Sequence, residues 1–137
     1  MQNLTRIDGT GRNIIVIDDD LAIRVLLQAV LQRLHFTVDL AEDGSAGIEK
    51  VRRNRYDLIL LDLMMPKVNG FEFLETLKRE GTHSPPPHVI VFTAAGPRGV
   101  ERIPPDSVCN SILKPFDLEA FLEMIASCLA EHQAESG

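Results

Sequence analysis

Five side chains in this sequence are of types that do chemistry together: Asp18, Asp19, Asp62, Thr93 and Lys114. The first two sit in IIVIDDD, residues 14–20, where aliphatic residues run straight into three consecutive carboxylates. Neighbouring carboxylates oppose one another's ionisation. Burying one without a partner is costly. Positive charge is therefore expected beside them, and Lys114 with a divalent cation would supply it. Carboxylates, a backbone carbonyl and waters suit Mg2+. Mg2+ beside an ammonium and a hydroxyl suits a phosphoryl group, whose transfer is mostly positioning and charge neutralisation. A carboxylate can also be the nucleophile and form an aspartyl phosphate. On this reading Asp62 attacks phosphorus. Asp19, Asp62 and the Met64 backbone carbonyl bind Mg2+, and Asp18 orients its waters. Lys114 pairs with the phosphoryl oxygens, and Thr93 hydrogen-bonds one of them.

These residues are far apart in the chain, so the fold must gather them. Asn13–Ile17 is an apolar run too short for a helix and reads as a buried strand. Asp20 can cap a helix over Leu21–His35, where Ile23, Leu26, Leu27, Val30, Leu31 and Leu34 recur at helical spacing. Phe36–Leu40 reads as a second strand, with polar Thr37 and Asp39 marking a sheet edge. Gly44–Arg55 is a helix with cations in its last turn, where the helix dipole favours them. Asp57–Leu61 is a third strand, and Phe71–Glu80 a helix that Gly81 can cap. His88–Phe92 and Ser111–Leu113 complete the strands. Asp117 caps a last helix with Leu118, Phe121, Leu122, Ile125 and Leu129 on one face. Strands alternating with helices give right-handed βαβ crossovers and a parallel sheet. The near-continuous aliphatic strands 1, 3 and 4 belong in its middle. The expected architecture is α/β: a flavodoxin-like, doubly wound, five-stranded parallel sheet in the order 2-1-3-4-5. Ligands bind beyond the carboxyl ends of such strands, and Asp18, Asp19, Asp62, Thr93 and Lys114 all follow strand ends there. Glu42 and Asp43 follow the second strand on its own side. Between strands 4 and 5, Pro97, Gly99, Pro104 and Pro105 leave at most a turn or two near Gly99–Ile103, a shortened or irregular fourth helix.

Bulk properties narrow the functional classes. The 137 residues suit one domain, and the formal net charge of -6 argues against non-specific nucleic-acid binding. The longest purely apolar runs, such as IIVI, are far too short to span a bilayer. The amino terminus has no apolar core of a secretory signal. Cys109 and Cys128 show no metal or redox spacing and are expected as reduced structural thiols of a cytosolic protein. His35, His83, His88 and His132 have no ligand spacing. Residues 1–12 read as a flexible lead-in, 13–130 as the domain and 131–137 as a polar tail. The tail and the whole fold favour a chain that stands alone.

From Asn13 to Leu129 the sequence resembles the receiver domain of two-component response regulators. IIVIDDDLAIR is similar to the family's first strand and acidic pair, with Arg24 in the next helix. LILLDLMMPKVNGFEFL resembles the phosphoacceptor strand and its loop, and VIVFTA and ILKPF the remaining site strands. The resemblance implies that Asp62 accepts a phosphoryl group from a sensor histidine kinase or a histidine phosphotransfer protein. It implies Mg2+ as cofactor, with Asp18, Asp19, Asp62 and Met64 around it and Thr93 and Lys114 on the phosphoryl group. It also implies a cis Lys114–Pro115 bond and a signal passed through altered protein–protein contacts to a downstream protein. Two departures stand out. Ser111 occupies a position where many receivers carry an aromatic switch residue, and the fourth helix is curtailed. Met64 and Ala95, two residues after Asp62 and Thr93, cannot activate water, so self-dephosphorylation is expected not to be especially fast.

Three other functions fit parts of the sequence. In a haloacid-dehalogenase-type phosphatase Asp18 would be the nucleophile and Asp20 the acid–base. Only Asp117 and Glu119 follow Lys114 where that family places an acidic pair. A receiver-like binding scaffold without phosphorylation would typically have lost pocket acids, and all are kept here. A dinucleotide or flavin binder needs a glycine-rich first loop, where DDDLA would repel a pyrophosphate. The expectation is a cytoplasmic, non-enzymatic phosphoacceptor, with autophosphatase activity at most and no direct contact with DNA or membrane.

Overall fold

Four consecutive aliphatic residues, Leu58–Leu61, form the strand at the centre of the sheet, and each is buried. In a computed structural model, β1 (Asn13–Ile17) and β4 (His88–Thr93) flank this β3 on either side. Outside them lie β2 (Thr37–Ala41) and β5 (Asn110–Leu113). All neighbours are parallel, in the order β2-β1-β3-β4-β5. The structure describes residues 7–65, 68–81, 86–94, 97–103 and 108–136, with backbone alone for 97, 98 and 131–136. The helices are α1 (Leu21–Arg33), α2 (Gly44–Arg53), α3 (Gly70–Glu80), α4 (Pro97–Glu101) and α5 (Leu118–Ser136).

Pleating sends alternate strand residues to opposite faces. Ile14, Val16, Leu58, Leu60, Ile90 and Phe92 pack with Leu27 and Leu31 of α1 and Phe121, Leu122 and Ile125 of α5. Ile15, Ile17, Ile59, Leu61, Val89 and Val91 pack with Val51 of α2 and Phe73 and Leu74 of α3. Covered faces on both sides are why the inner strands read as unbroken hydrophobic runs.

Local signals placed the helix ends. Asp20 accepts a hydrogen bond from the Ala22 amide at 2.9 Å and caps α1. Asp43 does the same for α2 through Ala46. Asn69 and Glu72 form a reciprocal capping box at the start of α3. Gly81 ends that helix with φ 80°. The Lys114–Pro115 peptide is cis.

Several elements depart from the sequence reading. α1 stops at Arg33 because His35 turns left-handed, φ 74°, and Phe36 folds back on the core. The fourth helix is short, as expected: α4 keeps one turn, five residues. The prolines 104 and 105 behind the irregular-helix expectation lie outside the described residues. α5 continues through residues 131–136, the stretch read as a polar tail. Residues 1–6 of the expected lead-in lie outside the described residues, but the rest docks: the Gly9 amide donates to the Leu34 carbonyl at 2.6 Å, and Ile7 packs on the core. The expectation of reduced thiols is overturned, since Cys109 and Cys128 are joined in a disulfide. Their separation of 19 residues carries no motif. Only the packing of α5 against the approach to β5 brings them together.

Candidate functional site

β1, β3, β4 and β5 deliver the chemistry-bearing residues to one end of the sheet. Asp18 follows β1 directly and is fully buried. Its Oδ1 accepts from the Asp20 amide at 2.9 Å, and its Oδ2 accepts from Lys114 Nζ at 2.8 Å. The Arg24 guanidinium donates to the Asp18 carbonyl at 2.7 Å and pins the strand end to α1. Asp62 follows β3 and is 3% exposed. Its Oδ1 accepts from the Met64 amide at 3.1 Å, and its Oδ2 accepts from Lys114 Nζ at 3.3 Å. One ammonium thus bridges the two buried carboxylates. Lys114 is positioned by its own amide, which donates to the Thr93 carbonyl at 2.8 Å, while its Nζ sits 5.0 Å from the centroid of the Phe92 ring. Thr93, the last residue of β4, is fully buried.

Asp19 is exposed, and a carboxylate oxygen of Asp18, of Asp19 and of Asp62 all lie within 4.8 Å of one another. Three carboxylates and a single ammonium leave excess negative charge. Burial raises Asp62 to about 6, with the Asp18 charge adding to it, while the Met64 amide and Lys114 pull the other way. Asp19 is raised by desolvation and by its hydrogen bond and charge contact with Asp18. Burial lowers Lys114, but Asp18 and Asp62 together outweigh it and hold the ammonium above the ordinary lysine range. A hard cation with oxygen ligands would relieve the crowding, and the donor set fits Mg2+.

The pocket depends on a glycine that the residue types did not flag. A Cβ on Gly70 would lie 2.5 Å from the Leu63 Cα and 2.8 Å from the Asp62 carbonyl oxygen. The start of α3 therefore rests directly on the backbone that carries Asp62. The capping box NGFE, legible in the sequence, is the signal that could have located it.

The five expected side chains thus lie at one sheet end, with Lys114 touching Asp18 and Asp62 and Asp19 close to both. Met64 is 57% exposed beside them, and its amide holds Asp62. Ala95 lies outside the described residues. Glu42 and Asp43 do not join the cluster, Asp43 being occupied as a helix cap.

A doubly wound sheet with a lysine-bridged acidic pocket at its carboxyl end defines a class of phosphoacceptor proteins. The response regulator receiver domain family matches residues 14–126, and the chain belongs to that family. Response regulator ArlR of Staphylococcus epidermidis is 33% identical over 118 residues, 85% of this chain and 52% of its own length. Response regulator MprA of a Mycobacterium species is 32% identical over 125 residues, 90% of this chain and 53% of its own. The chain therefore spans about half the length of these relatives. Among solved structures, a CheY-like receiver domain from Methanospirillum hungatei superposes with a TM-score of 0.82 at 25% identity, covering 90% of this chain and 98% of that one. The response regulator TrrA of Thermotoga maritima, solved in complex with Mg2+-BeF, gives 0.75 at 26% identity, covering 85% and 98%. No helix among the described residues is long and apolar enough to cross a membrane.

Proposed function

We propose that this receiver domain takes a phosphoryl group onto Asp62 from the phosphohistidine of a sensor histidine kinase or a histidine phosphotransfer protein, in an Mg2+-dependent reaction in the cytoplasm. The observation that carries the proposal is the lysine bridge: Lys114 reaches Asp18 at 2.8 Å and Asp62 at 3.3 Å from another strand. Asp62 is held at both oxygens, so its carboxylate is oriented before a phosphodonor arrives. Above pH 6 it is ionised and nucleophilic. Its oxygen forms the new bond to phosphorus as the bond from phosphorus to the histidine nitrogen breaks. Lys114 then pairs with the phosphoryl oxygens and Thr93 donates to one of them. Asp19, Asp62 and the Met64 carbonyl would hold Mg2+, with Asp18 on its waters. The ion supplies charge neutralisation for the transferring group. The complex of TrrA with Mg2+-BeF supports this role by likeness.

The domain comprises residues 13–130. It signals by altered contacts with a downstream protein, not by catalysis. Met64 carries no acid or base to activate a water, so self-dephosphorylation is not especially fast. Asp20, the acid–base a phosphatase of this type would need beside Asp18, is engaged as the helix cap of α1.

Intact mass after incubation with Mg2+ and a small-molecule phosphodonor tests the assignment. One added phosphoryl group is expected, absent from Asp62→Asn and absent when Mg2+ is chelated. An adduct that persists in Asp62→Asn would remove Asp62 from the role. Rapid spontaneous loss of the adduct would contradict the reading of Met64.

A further inference from the structure

We propose that Cys109 and Cys128 are a reversible oxidation site, a disulfide made and opened by exchange with a small-molecule thiol–disulfide couple, which restrains the segment carrying Lys114. The bond joins residues 19 apart, across a Cα–Cα distance of 6.3 Å. The ring it closes contains β5, Lys114 and the first turns of α5. Cys109 stands one residue before β5 and is fixed to the sheet, its amide donating to the Val89 carbonyl at 2.7 Å. Cys128 is 2% exposed, on the inner face of α5 among Leu122, Ile125 and Leu129.

Three features favour a switch over a permanent staple. First, each sheet face carries its own apolar cluster, so most of the packed core lies outside the ring that the link closes. Second, β5 is an edge strand paired on one side only, and none of its residues is buried. Weakly packed edges open readily, so a covalent tie here has local motion to suppress. Third, persistent disulfides are rare in the cytoplasm, where those that form are usually transient and redox-sensing. This third point rests on the cytoplasmic assignment above.

Unequal burial assigns the roles. Cys109 is partly exposed and Cys128 is sealed. The Cys109 thiolate attacks a small disulfide, forming a mixed disulfide and releasing one thiolate. The Cys128 thiolate then attacks the Cys109 sulfur, closing the ring and releasing the second. Two cysteine thiols are oxidised, one external disulfide is reduced to two thiols, and protons balance. Reduction runs the same steps backwards.

The test equilibrates the purified full chain in glutathione buffers from strongly reducing to strongly oxidising, traps thiols by alkylation and reads intact mass. No phosphodonor is present, so the result stands apart from the assignment of Asp62. A reversible two-electron transition within one chain is expected, abolished in Cys109→Ser. Thermal melts should place the oxidised form about 10 °C above the reduced one. Amide exchange across residues 110–127 should slow about tenfold on oxidation, with β1 and α2 unchanged. These comparisons use the native sequence, so they hold even if a variant folds poorly. The proposal is overturned if the thiols stay free at every ratio. It also falls if the bond resists dithiothreitol under native conditions, if the product is a disulfide-linked dimer, or if exchange in the segment ignores the redox state.

Discussion

At Asp62 burial and neighbouring charge together set the acidity. Its folded value of about 6 lies above the ordinary 3.8, chiefly because burial disfavours the carboxylate. A raised acid binds protons more tightly folded than unfolded. Its favourable contribution to stability is complete below pH 3.8 and is lost as pH rises through about 6. Without divalent cation, Asp62→Asn should therefore be more stable than the parent at pH 7.5, by on the order of 2 kcal/mol. The gap should close near pH 4. Urea melts at both pH values check this, and a gap independent of pH would show that burial is not the cause. Lys114 shows the opposite balance. Two carboxylates overcome its desolvation and favour its charged form within the pocket.

Elements hold this pocket through their ends more than their middles. Strand ends supply the acids, and α3 begins against the backbone of Asp62 and Leu63 because Gly70 has no side chain. Gly70→Ala would push a methyl group into main-chain atoms that cannot swing aside. A loss of about 1–3 kcal/mol is expected from such overpacking. Phosphorylation on Asp62 should slow as well, because the carboxylate moves with its backbone. Denaturant titration and the rate of adduct formation, measured on one preparation, separate the two effects. A variant as stable and as reactive as the parent would remove Gly70 from the pocket's support. The curtailed α4 packs through Val100 on the sheet face opposite α5, and Ser111 is in register with Val91 of that same face, so this face carries a serine where many receivers have an aromatic residue.

At the scale of the whole molecule, an ion held by the acidic cluster would make folding and ion binding one equilibrium. Mg2+ at a hundredfold excess over its Kd should stabilise the chain by about 2.7 kcal/mol, since the unfolded chain does not assemble the three carboxylates. The gain should vanish in Asp19→Ala at the same concentration. Chemical denaturation with and without the ion gives the number, and equal gains in parent and variant would place the ion elsewhere. A net charge of -6 does not itself create this site, because most acids of the chain lie outside the cluster.

The sequence by itself determined the sheet order, the strand ends and the five residues that gather there. Aliphatic runs too short for helices, alternating with amphipathic stretches, leave few arrangements open to a parallel sheet. Asp20 and Gly81 marked helix ends for equally local reasons. What only the tertiary structure decided depends on contacts between distant segments. The left-handed turn at His35 follows from returning Phe36 to the core. The need for glycine at 70 follows from how closely α3 approaches the Asp62 backbone. The Cys109–Cys128 bond exists because α5 packs over the approach to β5, and no spacing along the chain encodes that distance. Local propensity and periodicity are written in neighbouring residues, whereas close approach is a property of the packed whole.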